Sequence, residues 1–248
     1  MMELIYNDIE TIPCQDVEMN AALRADADTA LLVELDAVRA PGNYKDAQKI
    51  EDFVNDARSK LMKEHDATCE ANWLKTSFDG GLGHICVIGY ALGDREPQAI
   101  LARHDVLGDE AAALREFFGV LNALGAGARL QWVGHNLVAF DLPFIWKRAM
   151  VLGVKPPFHL PRDPKPWADN VFDTMTQWAG ARDRISMERL CRILGIPGKG
   201  EMDGSKVWDY VRTGRIAEVG TYCCGDIERT RAMHRRMVFQ AEPLKVAA

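Results

Sequence analysis

Acidic side chains at alternate positions of a strand can share a divalent cation, and the chain carries such a pair close to its start, Asp8-Ile9-Glu10. Residues 2–10 read as a strand with Leu4, Tyr6, Asp8 and Glu10 on one face and Ile5, Asn7 and Ile9 on the other. The two acids then stand about 6.5–7 Å apart at Cα, close enough to reach one ion. Asp-x-Glu alone selects nothing, since it recurs at Asp16/Glu18, Asp94/Glu96 and Asp226/Glu228. The setting of the first pair is what distinguishes it. In a buried strand, two acids with no Lys or Arg beside them need a metal or another partner. On an edge strand both can simply face solvent.

Two later segments offer further acids. In Gly134-His135-Asn136-Leu137-Val138-Ala139-Phe140-Asp141-Leu142-Pro143, Asp141 stands at a strand-to-helix junction, and by itself it reads most simply as a helix N-cap. In Tyr222-Cys223-Cys224-Gly225-Asp226, the spacing of four puts Tyr222 and Asp226 on one face of a helix. Thr230, Met233 and Met237 continue that stripe, so it should face inward.

The elements that must position these residues follow from patterning. From about residue 14 to 76 the composition shifts to Ala, Asp, Glu and Lys at helical spacing, broken at Pro41-Gly42-Asn43, which reads as an insertion of two helices after the first strand. Strands resume at 84–92 and 98–104, a helix fills 110–124, and a short strand covers 130–133. A helix follows from Asp141 to about Gly153, then a Pro-rich loop over 155–166 and a strand at Val171-Phe172. Helices from Asp173, over 186–194 and through about 239 complete the chain. The expected fold is one α/β domain over residues 1–248, a mixed five-stranded sheet flanked by helices. Its first three strands form an antiparallel meander, with the fourth parallel to the first.

The three acidic phrases, in this order and on these element types, resemble the DEDDy subgroup of DnaQ-like 3′-to-5′ exonucleases, which have an RNase H-like fold. Within that subgroup they are similar to the proofreading exonuclease domains of family B DNA polymerases. The sister subgroup has His five residues before the last Asp, where this chain has Thr221. The resemblance implies phosphodiester hydrolysis with two divalent ions, Mg²⁺ or Mn²⁺, whose hard character suits carboxylate oxygens. It implies Asp8 between both ions, Glu10 and Asp226 completing the site of the attacking water, Asp141 at the second ion, and Tyr222 orienting the water. An ordinary tyrosine pKa of about 10 makes Tyr222 a poor general base. It further implies substrate contacts from Thr11 and Ile12, through backbone N–H groups and an apolar wedge between bases, and from Asn136 and Phe140 near the 3′ end.

Other residues have plainer readings beside functional ones. Trp73, Lys75 and Phe78 are either an aromatic, basic lip for a single strand or, for Trp73, packing at the boundary of the insertion. Lys199 and Lys206, in the loop 198–206, are placed to touch a phosphate. Asp173 reads as the N-cap of its helix, and Arg229, Arg231, Arg235 and Arg236 as a solvated helix face.

Charge limits the substrate. The net charge is −6, but residues 1–146 hold 12 basic and 24 acidic residues and residues 147–248 hold 18 and 12. A broad duplex footprint is disfavoured, whereas a short 3′ end approaching the basic C-terminal part is not. The expected partner is the 3′ end of single-stranded or frayed DNA ahead of RNA, with a polymerase or repair protein as a second partner. The alternatives are an exoribonuclease and a non-catalytic nucleic-acid-binding module. Six cysteines without a CxxC pattern, and a start lacking a basic segment before an apolar one, give the expectation of a cytoplasmic chain with reduced thiols and no membrane association.

Overall fold

The computed structural model describes residues 2–240 apart from positions 107, 166, 181, 199 and 201. Five strands, β1 (Glu3–Ile12), β2 (His84–Leu92), β3 (Gln98–Leu101), β4 (Leu130–Gly134) and β5 (Val171–Asp173), form one sheet in the order β3-β2-β1-β4-β5. β1 is antiparallel to β2 and parallel to β4, β2 is antiparallel to β3, and β4 is parallel to β5. This is the expected mixed sheet of an RNase H-like fold, with the acid-bearing strand at its centre. The edge-strand alternative for Asp8 and Glu10 is therefore excluded. The third strand stops at Leu101, short of the expected 104.

Helices α1 (Val17–Ala37) and α2 (Ala47–Lys75) stand between β1 and β2, where the two inserted helices were expected. Each starts at an aspartate cap, Asp16 accepting from Met19 N and Asp46 from Lys49 N. Neither helix has a buried residue. Their half-buried seam is reinforced by Arg24–Asp66 at 2.7 Å and His65–Asp28 at 2.6 Å.

Helices α3 (Asp109–Ala123) and α4 (Asp141–Val151) cover one face of the sheet, where Ile5, Ile9, Ile88 and Trp132 pack with Leu114, Phe117, Leu142 and Ile145. Beneath them Glu110 takes a bidentate pair from Arg148 at 2.7–2.8 Å and also accepts from Ile85 N, so the buried charges are matched. After α5 (Thr174–Ala179), α6 (Met187–Leu194) and α7 (Val207–Arg212), the long α8 (Ile216–Met237) lies across β1, β2, β3 and β4 on the other face. Thr230 and Met233 are buried there, so the stripe through Tyr222 and Asp226 does face inward.

The arginines of α8 depart from the expected solvated face. Arg231 is buried, lies 5.2 Å from the Tyr6 ring and donates to Arg95 O and Glu228. Arg229 donates to Asp226 at 2.8 Å, while Arg235 pairs with Asp94 at the surface. A helix lying flat on a sheet has too little solvent-facing surface for four arginines within eight positions, so two turn inward and take partners.

Candidate active site

Asp8 and Glu10 project from the central strand towards α8. Ligand atoms of Asp8, Glu10 and Cys223 all lie within 4.8 Å of one another, a spacing that one cation can span. Cys223 Sγ is 3.3 Å from Asp8 Oδ2, and burial followed by Asp8 holds the thiol well above its usual pKa, so it donates as a neutral group. The close approach depends on Gly89, which stands opposite Asp8 in the ladder. A Cβ there would come within 2.5 Å of Cys223 Sγ and 2.8 Å of Ile227 Cδ1, so the missing side chain lets α8 settle onto the sheet beside the acids.

Tyr222 and Asp226 enter from the same helix. Burial, then the Asp226, Glu10 and Asp8 charges, raise the Tyr222 pKa far above its usual value, and the phenol hydrogen-bonds to Asp226. It therefore stays protonated at neutral pH. Asp226 is 3% exposed and receives Arg229 Nη1, whose guanidinium folds over Gly225 and also donates to Gly198 O.

Asp141 completes the group from the opposite side. It is the first residue of α4 and does not cap it: Phe140 occupies the flanking position, and the Asp141 carboxylate instead accepts from Ile9 N at 3.0 Å, across 132 residues of sequence. Burial, with Asp8 and then Asp173 as nearby negative charges, pushes its pKa well above the usual carboxylate range. Asp8 thus faces Glu10 and Cys223 on one side and Asp141 on the other. Asp8 and Glu10 are thus clustered, Asp141 is within electrostatic reach of Asp8, and Tyr222 is within reach of Asp226, Glu10 and Asp8, so hard oxygen ligands crowd this part of the strand.

The segment before Asp141 is folded by Asp173, which does more than its expected capping. Its carboxylate accepts from Met175 N on its own helix and also from Asn136 N at 2.9 Å and Val138 N at 3.0 Å, clamping the 134–140 turn. Asn136 adopts the left-handed conformation (φ 66°), which asparagine tolerates better than most residues. His135 is held by Thr174 Oγ1 at 2.9 Å and donates from Nε2 to Ile185 O at 3.0 Å.

The residues expected to contact substrate divide. Phe140 is half-buried, with its ring 6.5 Å from exposed Phe78 and 5.5 Å from Phe144, so it lies at the surface beside the acids. Asn136 is part of the same turn. Thr11 spends its hydroxyl on Ser77 O at 2.7 Å. Ile12 is 1% exposed, in an apolar cluster with Val87, Val207 and Val211, so its side chain cannot act as a wedge between bases. Ile12 stays on the Asp8–Glu10 face of β1, but Val207 and Val211 of α7 cover it, a tertiary contact that short-range alternation does not reveal.

Trp73 likewise belongs to packing: it donates to Cys14 O and meets Trp208 edge-on, leaving Phe78 as the exposed aromatic of that segment. Lys199 lies outside the described residues. Sequence reasoning missed Cys223, Gly89 and Arg229. For Gly89 a signal was present, a lone glycine within an otherwise apolar strand.

Residues 84–247 match the family described as a predicted 3′-5′ exonuclease related to the exonuclease domain of PolB. That match begins after Asp8 and Glu10. The family B DNA polymerase from the hyperthermophilic archaeon Pyrobaculum calidifontis superposes with a TM-score of 0.55 at 14% identity, over 96% of this chain and 25% of the polymerase. The chain therefore spans about a quarter of that polymerase. No curated protein matches the sequence. With its matched segment covering most of the chain, the protein belongs to the family of predicted 3′-5′ exonucleases related to the PolB exonuclease domain.

Proposed function

We propose that the chain is a DEDDy-type 3′-to-5′ exonuclease acting on single-stranded or frayed DNA, a single exonuclease domain carrying the 14–76 helices as an insertion. The observation that carries this reading is the pairing of Asp8 with Glu10 on the central strand, with Asp141 in electrostatic reach of Asp8 and with Tyr222, hydrogen-bonded to Asp226, in reach of both Asp8 and Glu10. Asp8, Glu10 and Asp226 on one side and Asp141 on the other are the residues that would hold two Mg²⁺ or Mn²⁺ ions. When bound, such ions supply a nucleophilic water and stabilise charge in an in-line displacement.

Tyr222, protonated and fixed by Asp226, orients the attacking water through its hydroxyl. Water oxygen bonds to phosphorus as the P–O3′ bond breaks, releasing a nucleoside 5′-monophosphate and leaving a shortened strand with a 3′-hydroxyl. Phe140, with Phe78 beside it, offers a surface for the terminal base.

The reading is tested by incubating a labelled single strand with Mn²⁺. Wild type shortens it, whereas Asp8→Ala and Asp226→Ala lose at least about 10³-fold, the equivalent of roughly 4 kcal/mol of transition-state stabilisation. Digestion by either variant at the wild-type rate contradicts it.

A further inference from the structure

Away from the acids, aromatic rings and cations follow one another along α4. At its start, Phe78, 73% exposed, stands against Phe140. Pro143, Trp146, Lys147 and Met150 share one face of the helix by their spacing of three and four. Lys147 is half-exposed, and its Nζ lies 3.0 Å from Asp79 Oδ1. Trp146 donates from Nε1 to Pro161 O and carries the Arg162 guanidinium 5.8 Å from its ring centre, which fastens the Pro-rich loop to the helix. Beyond it, Lys155 and Phe158 share with Trp146 and Arg162 a cavity of about 790 Å³. Phe158 is 91% exposed, and neither Lys155 nor Arg162 has an ion pair among the described residues.

We propose that this strip is a binding track for single-stranded DNA leading to the acidic cluster. The 11 residues of α4 span about 16 Å at a helical rise of 1.5 Å per residue. That corresponds to roughly five nucleotides at 3.4 Å per step of a stacked strand. Exposed rings at both ends, Phe78 with Phe140 and Phe158, stack on bases without reading them, while Lys147, Lys155 and Arg162 meet phosphates. The alternation of rings and cations suits a flexible polyanion with exposed bases. A duplex, whose bases are hidden, leaves the rings unused. The track extends the proposed substrate of the acidic site, and it rests on that reading only for the direction of the strand.

The test is fluorescence anisotropy of a 5′-labelled 12-nucleotide oligothymidylate in EDTA, where no cleavage occurs. Phe158→Ala/Arg162→Ala is expected to weaken binding at least tenfold. Lys155→Ala/Arg162→Ala is expected to flatten the slope of log K against log salt by about 1.4, two phosphate contacts at roughly 0.7 each. Both Phe158 and Arg162 are exposed, so the fold should persist, and Arg162→Lys, which keeps the charge, is expected to bind nearly as wild type. Unchanged affinity of Phe158→Ala/Arg162→Ala, or an unchanged salt slope, overturns the track. If wild type binds the strand through these residues but Mn²⁺ produces no shortening, the exonuclease reading fails and the track stands. Shortening by wild type, with binding unaltered in the variants, overturns the track and leaves the exonuclease reading in place.

Discussion

Asp141 sits where its charge is costly, buried and facing Asp8, and its raised pKa gives a stability prediction with a definite sign. An acid with a raised folded-state pKa favours the fold while protonated, and that contribution is lost as pH rises through the folded value. Asp141→Asn should therefore gain on wild type from about pH 4 upward in EDTA, levelling off above the folded value. Thermal unfolding across pH reads this, and a pH-independent difference between the two proteins contradicts it. Tyr222 gives a second prediction. Because its hydroxyl orients the water and an ordinary phenol pKa of about 10 makes it a poor base, Tyr222→Phe should lower kcat by about 10- to 100-fold through a misplaced water, yet keep the wild-type pH profile. Loss of an ionisation from that profile marks Tyr222 as a base instead. At this scale the placement of Asp8 with Glu10 on one strand face, and of Tyr222 with Asp226 on one inward helix face, was legible from their spacing. That of Ile12 was not, because α7, which lies far later in the sequence, is what covers it.

The site is a meeting of elements, and its tolerances are set by two contacts between them. Gly89→Ala places a methyl against Cys223 Sγ and Ile227, so α8 must lift from β2; the expected cost is about 1–3 kcal/mol together with a large loss of kcat. An unchanged urea midpoint with full activity overturns that account of the packing. Asp173→Ala removes a helix cap and leaves the Asn136 and Val138 N–H groups without their acceptor, for an expected loss of about 3 kcal/mol in urea unfolding. The element order could be read from hydrophobic periodicity, since each strand and helix carries its own pattern. Asp173 as a clamp could not, because the N–H groups it accepts lie more than 30 residues earlier and only the parallel pairing of β4 with β5 brings them together. The same limit hid the Gly198 and Arg95 carbonyls that accept from Arg229 and Arg231, whereas Asp226 and Glu228 stand three residues away on α8 itself.

As a whole, the molecule is a well-packed sheet carrying a helical hairpin that has a half-buried seam and no fully buried residue. The hairpin joins the sheet at its base, where Trp73 donates to Cys14 O and Cys14 N to Thr76 Oγ1, while its outer parts are held by exposed ion pairs of little net worth. Replacing residues 24–66 with a short Gly/Ser turn should change stability by about 1 kcal/mol, or roughly 2–4 °C in Tm, with activity on a short strand retained. A collapse of the fold contradicts this.

The acidic total of −6 also takes on meaning at this scale, because Asp8 and Glu10 form one cluster, with Asp141 and the Tyr222–Asp226 pair in electrostatic reach of it, while the later part of the chain is basic. The central claim is that this cluster removes nucleotides from a 3′ end, and the polarity of digestion tests it most directly. With Mn²⁺, a 5′-labelled single strand should yield a descending ladder, and the same strand labelled at its 3′ end should release labelled mononucleotide at once. Intact strands with both labels, or mononucleotide released first from the 5′ end, would contradict the account.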